Sequence, residues 1–441
     1  MIRSLAVATL LATTGTGFTQ DLASHDNRID LMRSDAPELA RVGPFSVGVQ
    51  TLDVVNPDQL DIVSVTGPDA IPRYDRPLTL EVWYPTAEPK PDAPQAYEDV
   101  LIRDGKRRIT LYGAALRDAA PDAAGGPYPL ILISHGYPGN RYLMAHLGEN
   151  LASKGYVAVS IDHTDSTYDN QLAFGSTLVN RPLDQKFVLD QIDGLSKTEG
   201  SFLNGLVDAG NTGLIGYSMG GYGAVILVGG GVTEASTAYE WGAPAGTLNV
   251  HQDGAETQRA LPDPRIKAVV AFAPWGRNMG FWDAAGLANI RTPMMFIAGS
   301  KDDVSLYEGG VRAIFEETVN ADRYLLTFAG ANHNAGAPMP APRESWEPAE
   351  GLDFIPAEHY TDAVWDNVRM NNIAQHFTTA YFGKMLKGDA GMGRYLSLVE
   401  MAEEGVANRD DAGKPPAAHT YWAGFPLRSA IGLRLEHRAA P

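Results

Sequence analysis

Residues 212–228 read TGLIGYSMGGYGAVILV: an apolar run, a Gly-rich turn around Ser218, then a second apolar run. Thr212 to Gly216 reads as a buried strand and Met219 to Val228 as a helix. The turn between them, Gly216-Tyr217-Ser218-Met219-Gly220, has a mechanical reason for its spacing. So sharp a turn from strand to helix leaves no room for side chains two positions either side of the serine. Glycine there lets Ser218 be held strained, with its hydroxyl exposed. The helix aims its first amides and the positive end of its dipole at the same spot. The alternative is a Gly-rich turn whose serine only caps the helix; the strand before and the helix after make the match specific.

The same alternation extends outward from this turn. Leu78, Leu80, Val82 and Tyr84 share one face of an early strand, with Thr79, Glu81 and Trp83 on the other. Leu130 to Ile133 reads as a buried strand running into His135-Gly136, and Arg141 to Lys154 as a helix with Leu143, Leu147 and Leu151 at i+4 spacing. Tyr156 to Ile161 is a further strand, and Pro182 to Leu195 a helix with Pro182 in its first turn. Strands follow at Ile266 to Phe272, Met294 to Ala298 and, last, Tyr324 to Phe328. On a long terminal helix Ile373, Phe377, Tyr381 and Met385 repeat every fourth residue. Strands apolar on both faces, alternating with helices, mean a parallel sheet covered on each side, so the fold class is α/β. Gly229 to Pro264 and the Pro-rich Asn334 to His359 break the rhythm, as lids and binding loops do.

A serine hydroxyl is a poor nucleophile at neutral pH and needs a base, which in turn needs an orienting acid. With this elbow the chain order is Ser, then Asp or Glu, then His, each on a loop at a strand's C-terminal end. After Met294 to Ala298 comes Gly299-Ser300-Lys301-Asp302-Asp303, and after Tyr324 to Phe328 comes Ala329-Gly330-Ala331-Asn332-His333. Of ten histidines His333 is the one directly after the final strand of the pattern. The assignment is therefore Ser218 as nucleophile, His333 as base then acid, and Asp302 as orienting carboxylate. Asp303 competes; Asp302 is preferred because its spacing from Gly299 puts it at the loop apex. Two backbone donors for a developing oxyanion are expected from Met219 and from Tyr137, because Pro138 has no N–H. His135 reads as a brace of that loop, and Asp162-His163-Thr164-Asp165 as a polar brace beside it. Trp275, Phe281 and Trp282 are candidates for the wall of an acyl pocket.

Three stretches carry a family resemblance: PLILISHGYPGNRYLMAHLGENLASKGYVAVSIDHTDST from Pro129, RPLDQKFVLDQI from Arg181, and GLIGYSMGGYGA from Gly213. The sequence resembles bacterial α/β-hydrolases related to platelet-activating-factor acetylhydrolase, often labelled predicted dienelactone hydrolases, over roughly Pro44 to Leu386. The resemblance implies an eight-stranded, mostly parallel sheet with lid-like insertions. It implies serine esterase chemistry on short-chain or oxidised acyl esters, with Ser218 and His333 as nucleophile and base and Tyr137 and Met219 as oxyanion donors. There are two departures. The chain has no cysteine, the nucleophile of true dienelactone hydrolases. Nor does Ala271-Phe272-Ala273-Pro274-Trp275 carry the carboxylate that plasma-type acetylhydrolases place there, which moves the acid to the Asp302 loop. The Gly-x-Ser-Met-Gly-Gly string also occurs in bacterial polyester hydrolases, so a polymeric ester is a second expectation. An amidase or peptidase on the same triad, and a non-catalytic binding protein of the same fold, are the rivals.

Composition narrows the field. Acidic residues outnumber basic ones by 53 to 35 in 441, a formal charge of −18, which argues against nucleic-acid partners. Without cysteine there are no disulfides, thiolate zinc sites or iron–sulfur clusters. No cofactor is expected, since neither a P-loop nor a dinucleotide fingerprint occurs, and no metal. Met1-Ile2-Arg3 followed by the apolar run Leu5 to Thr14 resembles a secretory signal, and no other stretch approaches about 18 apolar residues. The expected layout is a signal at 1–20, an extension at 21–43, the catalytic domain at 44–387 with insertions at 229–264 and 334–359, and a packed extension at 388–441. Periplasmic or secreted location follows from the signal; oligomeric state stays open.

Overall fold

Tyr128–Ser134 and Val207–Tyr217, both apolar on each face, pair in parallel at the centre of the molecule, and the remaining strands fan out to either side. The computed structural model describes residues 27–68, 70–408 and 419–441; the expected signal at 1–20 lies outside them. Numbered along the chain, the strands are β1 (Ser46–Leu60), β2 (Arg73–Thr86), β3 (Gln95–Leu101), β4 (Arg108–Gly113), β5 (Leu116–Arg117), β6 (Tyr128–Ser134), β7 (Val157–Asp162), β8 (Val207–Tyr217), β9 (Ile266–Phe272), β10 (Met294–Gly299), β11 (Arg323–Phe328) and β12 (Leu433–Arg438). Among the described residues ten of them form one sheet in the order β12-β11-β10-β9-β8-β6-β7-β2-β1-β5, while β3 and β4 make a separate hairpin. The six strands from β6 to β11 run parallel to their mates, and β2 and β12 bracket them antiparallel. Seven of the ten are strands read from the sequence; β1 pairs with β2, and β5 and β12 extend the sheet at its two edges, so the sheet exceeds the eight strands that the resemblance implies.

Helix α1 (Ala145–Ala152) and the terminal helix Asn367–Leu386 cover one face of the sheet; α2 (Phe174–Ser196) and α3 (Met219–Leu227) cover the other. Alternation along β2 assigns its faces: Leu78, Leu80, Val82 and Tyr84 enter the α2–α3 core, whereas Trp83 enters the opposite one. This is an α/β-hydrolase fold, its parallel strands delivering their C-terminal loops to one end of the sheet.

Three elements differ from the sequence reading. Helix α2 starts at Phe174, not at Pro182, so the proline lies inside it. A proline there leaves the carbonyl four residues back without its amide donor. The Tyr222 hydroxyl of α3 donates to that carbonyl, Leu178 O, at 3.2 Å, and His251 Nε2 lies 2.7 Å from Val179 O. Tertiary donors thus satisfy what the proline removed, and the helix continues. Tyr324 to Phe328 is not the last strand, because Leu433–Arg438 adds to its free edge; its register depends on a partner more than a hundred residues away. Arg141 to Met144 form turns rather than the first turn of α1, since the side chain and backbone N–H of Arg141 are drawn to Asp162 at the end of β7.

Candidate active site

At the end of β8 the chain turns directly into α3, and Ser218 occupies the turn with φ 53° and ψ −112°. A non-glycine residue in that region costs about 1–3 kcal/mol unless its surroundings hold it. They do: Ser218 N–H donates to Phe272 O at 2.9 Å, and Ser218 O accepts from Tyr222 N at 2.9 Å and Trp275 N at 3.2 Å. The flanking glycines are required by contact. A Cβ on Gly216 would fall 2.3 Å from Gly220 O, and one on Gly220 would fall 1.9 Å from Ser134 O. Backbone fills the space that side chains would need.

The loops after β10 and β11 are equally close. A Cβ on Gly299 would lie 2.2 Å from both Ala331 O and Asn332 O, and Lys301 N–H donates to Ala331 O at 2.9 Å. That approach brings His333 Nδ1 to 3.0 Å from each carboxylate oxygen of Asp302. Asp302 is buried, and its Oδ1 also accepts from Val304 N at 2.9 Å and Ser305 N at 2.8 Å. Asp303 is exposed and makes no bond to His333. The His333 ring packs 5.2 Å from that of Tyr217, the residue before Ser218.

Ser218 and His333 line one cavity of about 250 Å³, which Tyr137 and Asp303 also line. The amide of Tyr137 has no hydrogen-bond partner among the described residues, and Met219 opens α3, where the amide has no intrahelical acceptor. The direction of the Tyr137 N–H follows from its peptide partner. The Gly136 carbonyl belongs to the same planar unit; His135 Nδ1 holds it at 2.6 Å and Arg181 at 3.5 Å. Anchoring that oxygen fixes the N–H on the opposite side. Arg181 also donates to the His135 carbonyl. His163 N–H donates to His135 Nε2 at 3.3 Å, so Nδ1 is the protonated nitrogen of His135.

A buried ionic chain lies under this loop. Arg76 grips Asp184 at 2.8 and 2.9 Å and Asp165 at 2.9 Å; Asp184 receives His163 Nδ1 at 2.9 Å, and Ser134 Oγ meets His163 Nε2 at 2.9 Å. Burial first, and then the charge of Arg181, push the pKa of His135 and His163 well below the ordinary value. Both are neutral braces at physiological pH. Among the described residues no group of three His, Cys, Asp or Glu is arranged to hold a metal ion.

The expected pocket aromatics are elsewhere. Phe281 and Trp282 are fully buried and pack on Tyr222 at 5.6 and 5.4 Å, inside the α3 face. Such apolar rings gain more from the core than from a cavity mouth. Trp275 is half-buried and also off the cavity lining, but it stands 5.5 Å from Phe174, which is 5.1 Å from the Tyr137 ring. The cavity that holds Ser218 is lined instead by Arg103, Phe354 and His359, among others. Phe354 and His359 lie in the Pro-rich excursion expected to shape a pocket; no local pattern pointed to Arg103. Burial first, then the charges of Arg103 and His333, lower the His359 pKa to about 3.

Residues 109–235 match the family described as PETase, PET hydrolase-like. The chain is 29% identical over 226 residues to a bis(hydroxyethyl) terephthalate hydrolase from Streptomyces coelicolor, covering 51% of this chain and 56% of that one. It is 26% identical over 209 residues to cutinase est2 from Thermobifida alba, covering 47% and 53%. The chain thus spans little more than half the length of these relatives. A ferulic acid esterase from Streptomyces cinnamoneus superposes with a TM-score of 0.54 at 19% identity, covering 90% of this chain and 98% of that one. That likeness is one of fold.

Proposed function

We propose that this protein is a serine carboxylic ester hydrolase. Ser218 Oγ attacks the ester carbonyl while His333 takes its proton, and Asp302 holds the imidazole and balances its charge. The oxyanion is received by the amides of Tyr137 and Met219; one such donor is worth about 3–4 kcal/mol of barrier. His333 returns the proton to the leaving alkoxide, which departs as the alcohol. Water, deprotonated by His333, then cleaves the acyl-serine, releasing the acid and restoring the Ser218 hydroxyl. The observation that carries the reading is the clasp of His333 Nδ1 by the buried Asp302, in the cavity where Ser218 stands at its strained turn.

Short-chain or lipid-like esters follow from the acetylhydrolase resemblance. A second reading, polyester or aromatic ester hydrolysis, is favoured by the names of the relatives and by the half-buried row Tyr137–Phe174–Trp275 beside the cavity. Among the described residues no helix is long and apolar enough to cross a membrane, and the apolar run at Leu5 to Thr14 is read as an export signal. Two measurements test the function. A fluorophosphonate probe labels the wild type and not Ser218→Ala, and 4-nitrophenyl esters graded by acyl length are hydrolysed faster than the matching anilides. Persistent labelling of the variant overturns the assignment; equal rates on anilides turn it toward an amidase.

A further inference from the structure

The cavity that holds Ser218 is also lined by a cation that this reaction does not use. Arg103 sits at the tip of the β3–β4 hairpin, half-buried, and lines the cavity with Ser218, His333, Phe354 and His359. Its place is fixed from several sides. Asn140 of the oxyanion loop donates to Leu101 O at 2.8 Å, and Arg103 N–H donates to the Tyr360 hydroxyl at 3.1 Å. The guanidinium lies 5.1 Å over the Phe354 ring. Among the described residues no carboxylate comes within ion-pair distance of it. Its hairpin neighbours differ: Arg107 meets Asp104 at 2.9 Å, and Arg108 meets Asp99 at 3.0 Å. Of the three arginines of this hairpin, in a chain of formal charge −18, the one left without an acid among the described residues is the one that lines the cavity. His359 Nε2, which lines the same cavity, is buried and has no hydrogen-bond partner among the described residues. The field of Arg103 reaches across the site, opposing the burial-driven rise of the Tyr137 pKa and helping keep His359 neutral.

We propose that Arg103 is a substrate-selecting residue that receives a carboxylate, so that the enzyme prefers esters bearing a free carboxylate, such as half-esters of dicarboxylic acids, over neutral esters of equal size. The inference rests on the ester hydrolase reading and narrows its substrate class. A guanidinium presents a planar fork of N–H donors that fits a carboxylate two-to-two. Phe354 meets the guanidinium by a cation–π contact, and no acceptor among the described residues takes its N–H donors. Asp303 and Glu358 also line the cavity, both exposed to solvent. They oppose an anion, but from water-screened positions.

The test uses two pairs of esters. 4-Nitrophenyl hydrogen glutarate against 4-nitrophenyl butyrate puts the carboxylate on the acyl side; 3-acetoxybenzoate against phenyl acetate puts it on the leaving group. In at least one pair Arg103→Gln is expected to lower the anionic-to-neutral ratio of kcat/KM by about tenfold, the scale of one charge-assisted pair, while Arg103→Lys, which keeps the charge but not the fork, falls between the two. A ratio that moves less than twofold in both pairs overturns the inference and, with neutral esters still cleaved, leaves the hydrolase reading intact. Calorimetry of glutarate and benzoate on Ser218→Ala, with and without Arg103→Gln, reads the site without turnover. Binding weakened about tenfold by loss of the guanidinium supports the inference even if no ester is cleaved, in which event the hydrolase reading falls alone. Equal binding by both proteins overturns it.

Discussion

Around His333 backbone packs on backbone. Gly299 touches the carbonyls of Ala331 and Asn332, Gly220 touches that of Ser134, and Asp302 is tied by two amides besides the imidazole. Across the cavity the wall is joined through side chains. The β3–β4 tip is held to the excursion after His333 by Arg107, which donates to the carbonyls of Glu344, Glu347 and Pro348, and by the Tyr360 hydroxyl. The first region admits one geometry because sterics leave no other. The second is held by long polar side chains on loops, which tolerate replacement. The groups assigned to bond-making sit in the rigid region, and those proposed to select a substrate sit in the adaptable one.

That contrast can be broken by mutation, beginning with the rigid side. Ser218→Ala is expected to lower kcat by about 10⁶-fold and to abolish fluorophosphonate labelling. Asp302→Asn should cost about 10⁴-fold in kcat with little change in KM, because the amide favours the wrong imidazole tautomer. Asp303→Asn should stay within about threefold, as expected of an exposed charge; a larger loss in this variant than in Asp302→Asn, measured on 4-nitrophenyl butyrate, would exchange their roles. Arg181→Met loosens the Gly136 carbonyl, so the Tyr137 donor loses aim and kcat should fall by about 100-fold, within the range for one oxyanion donor. A change in KM alone would mean that Arg181 braces the fold and not the donor.

On the adaptable side, Phe354→Ala should raise KM by about fivefold with kcat nearly unchanged, as the loss of uniform binding requires. Steady-state kinetics separate the two constants. The smallest effect concerns pH. Burial lowers the pKa of His146 and His376 to about 3 and of His251 to about 4, against 6.5 when unfolded. Their neutral forms stabilise the fold fully above the unfolded value, and that contribution is lost as pH falls below it, by up to about 1.4 kcal/mol per pH unit for each group. Burial raises Glu149 to about 7, which works in the opposite sense over the same range. The melting temperature should therefore fall between pH 7 and pH 5; a rise would mean that Glu149 outweighs the histidines.

Much of this was legible in residue order. Glycines two places either side of Ser218, an apolar run before and another after, define a local turn, and local sterics do not need the rest of the chain. His333 and the Asp302–Asp303 pair follow from chain order, because strand C-termini all open on the same end of the sheet. Neighbouring aspartates, however, differ only in which way the loop turns, and the contact of Gly299 with Ala331 decides that Asp302 meets the imidazole. Pro182 inside α2, β12 on the edge of β11, and Arg103 in one cavity with Ser218 all depend on partners tens to hundreds of residues away. Local spacing determined the turn and the types of its chemical groups. Long-range packing alone decided which aspartate meets His333, which aromatic rings stay in the core, and which cation faces the cavity, because those outcomes depend on surfaces that exist only once the sheet has formed.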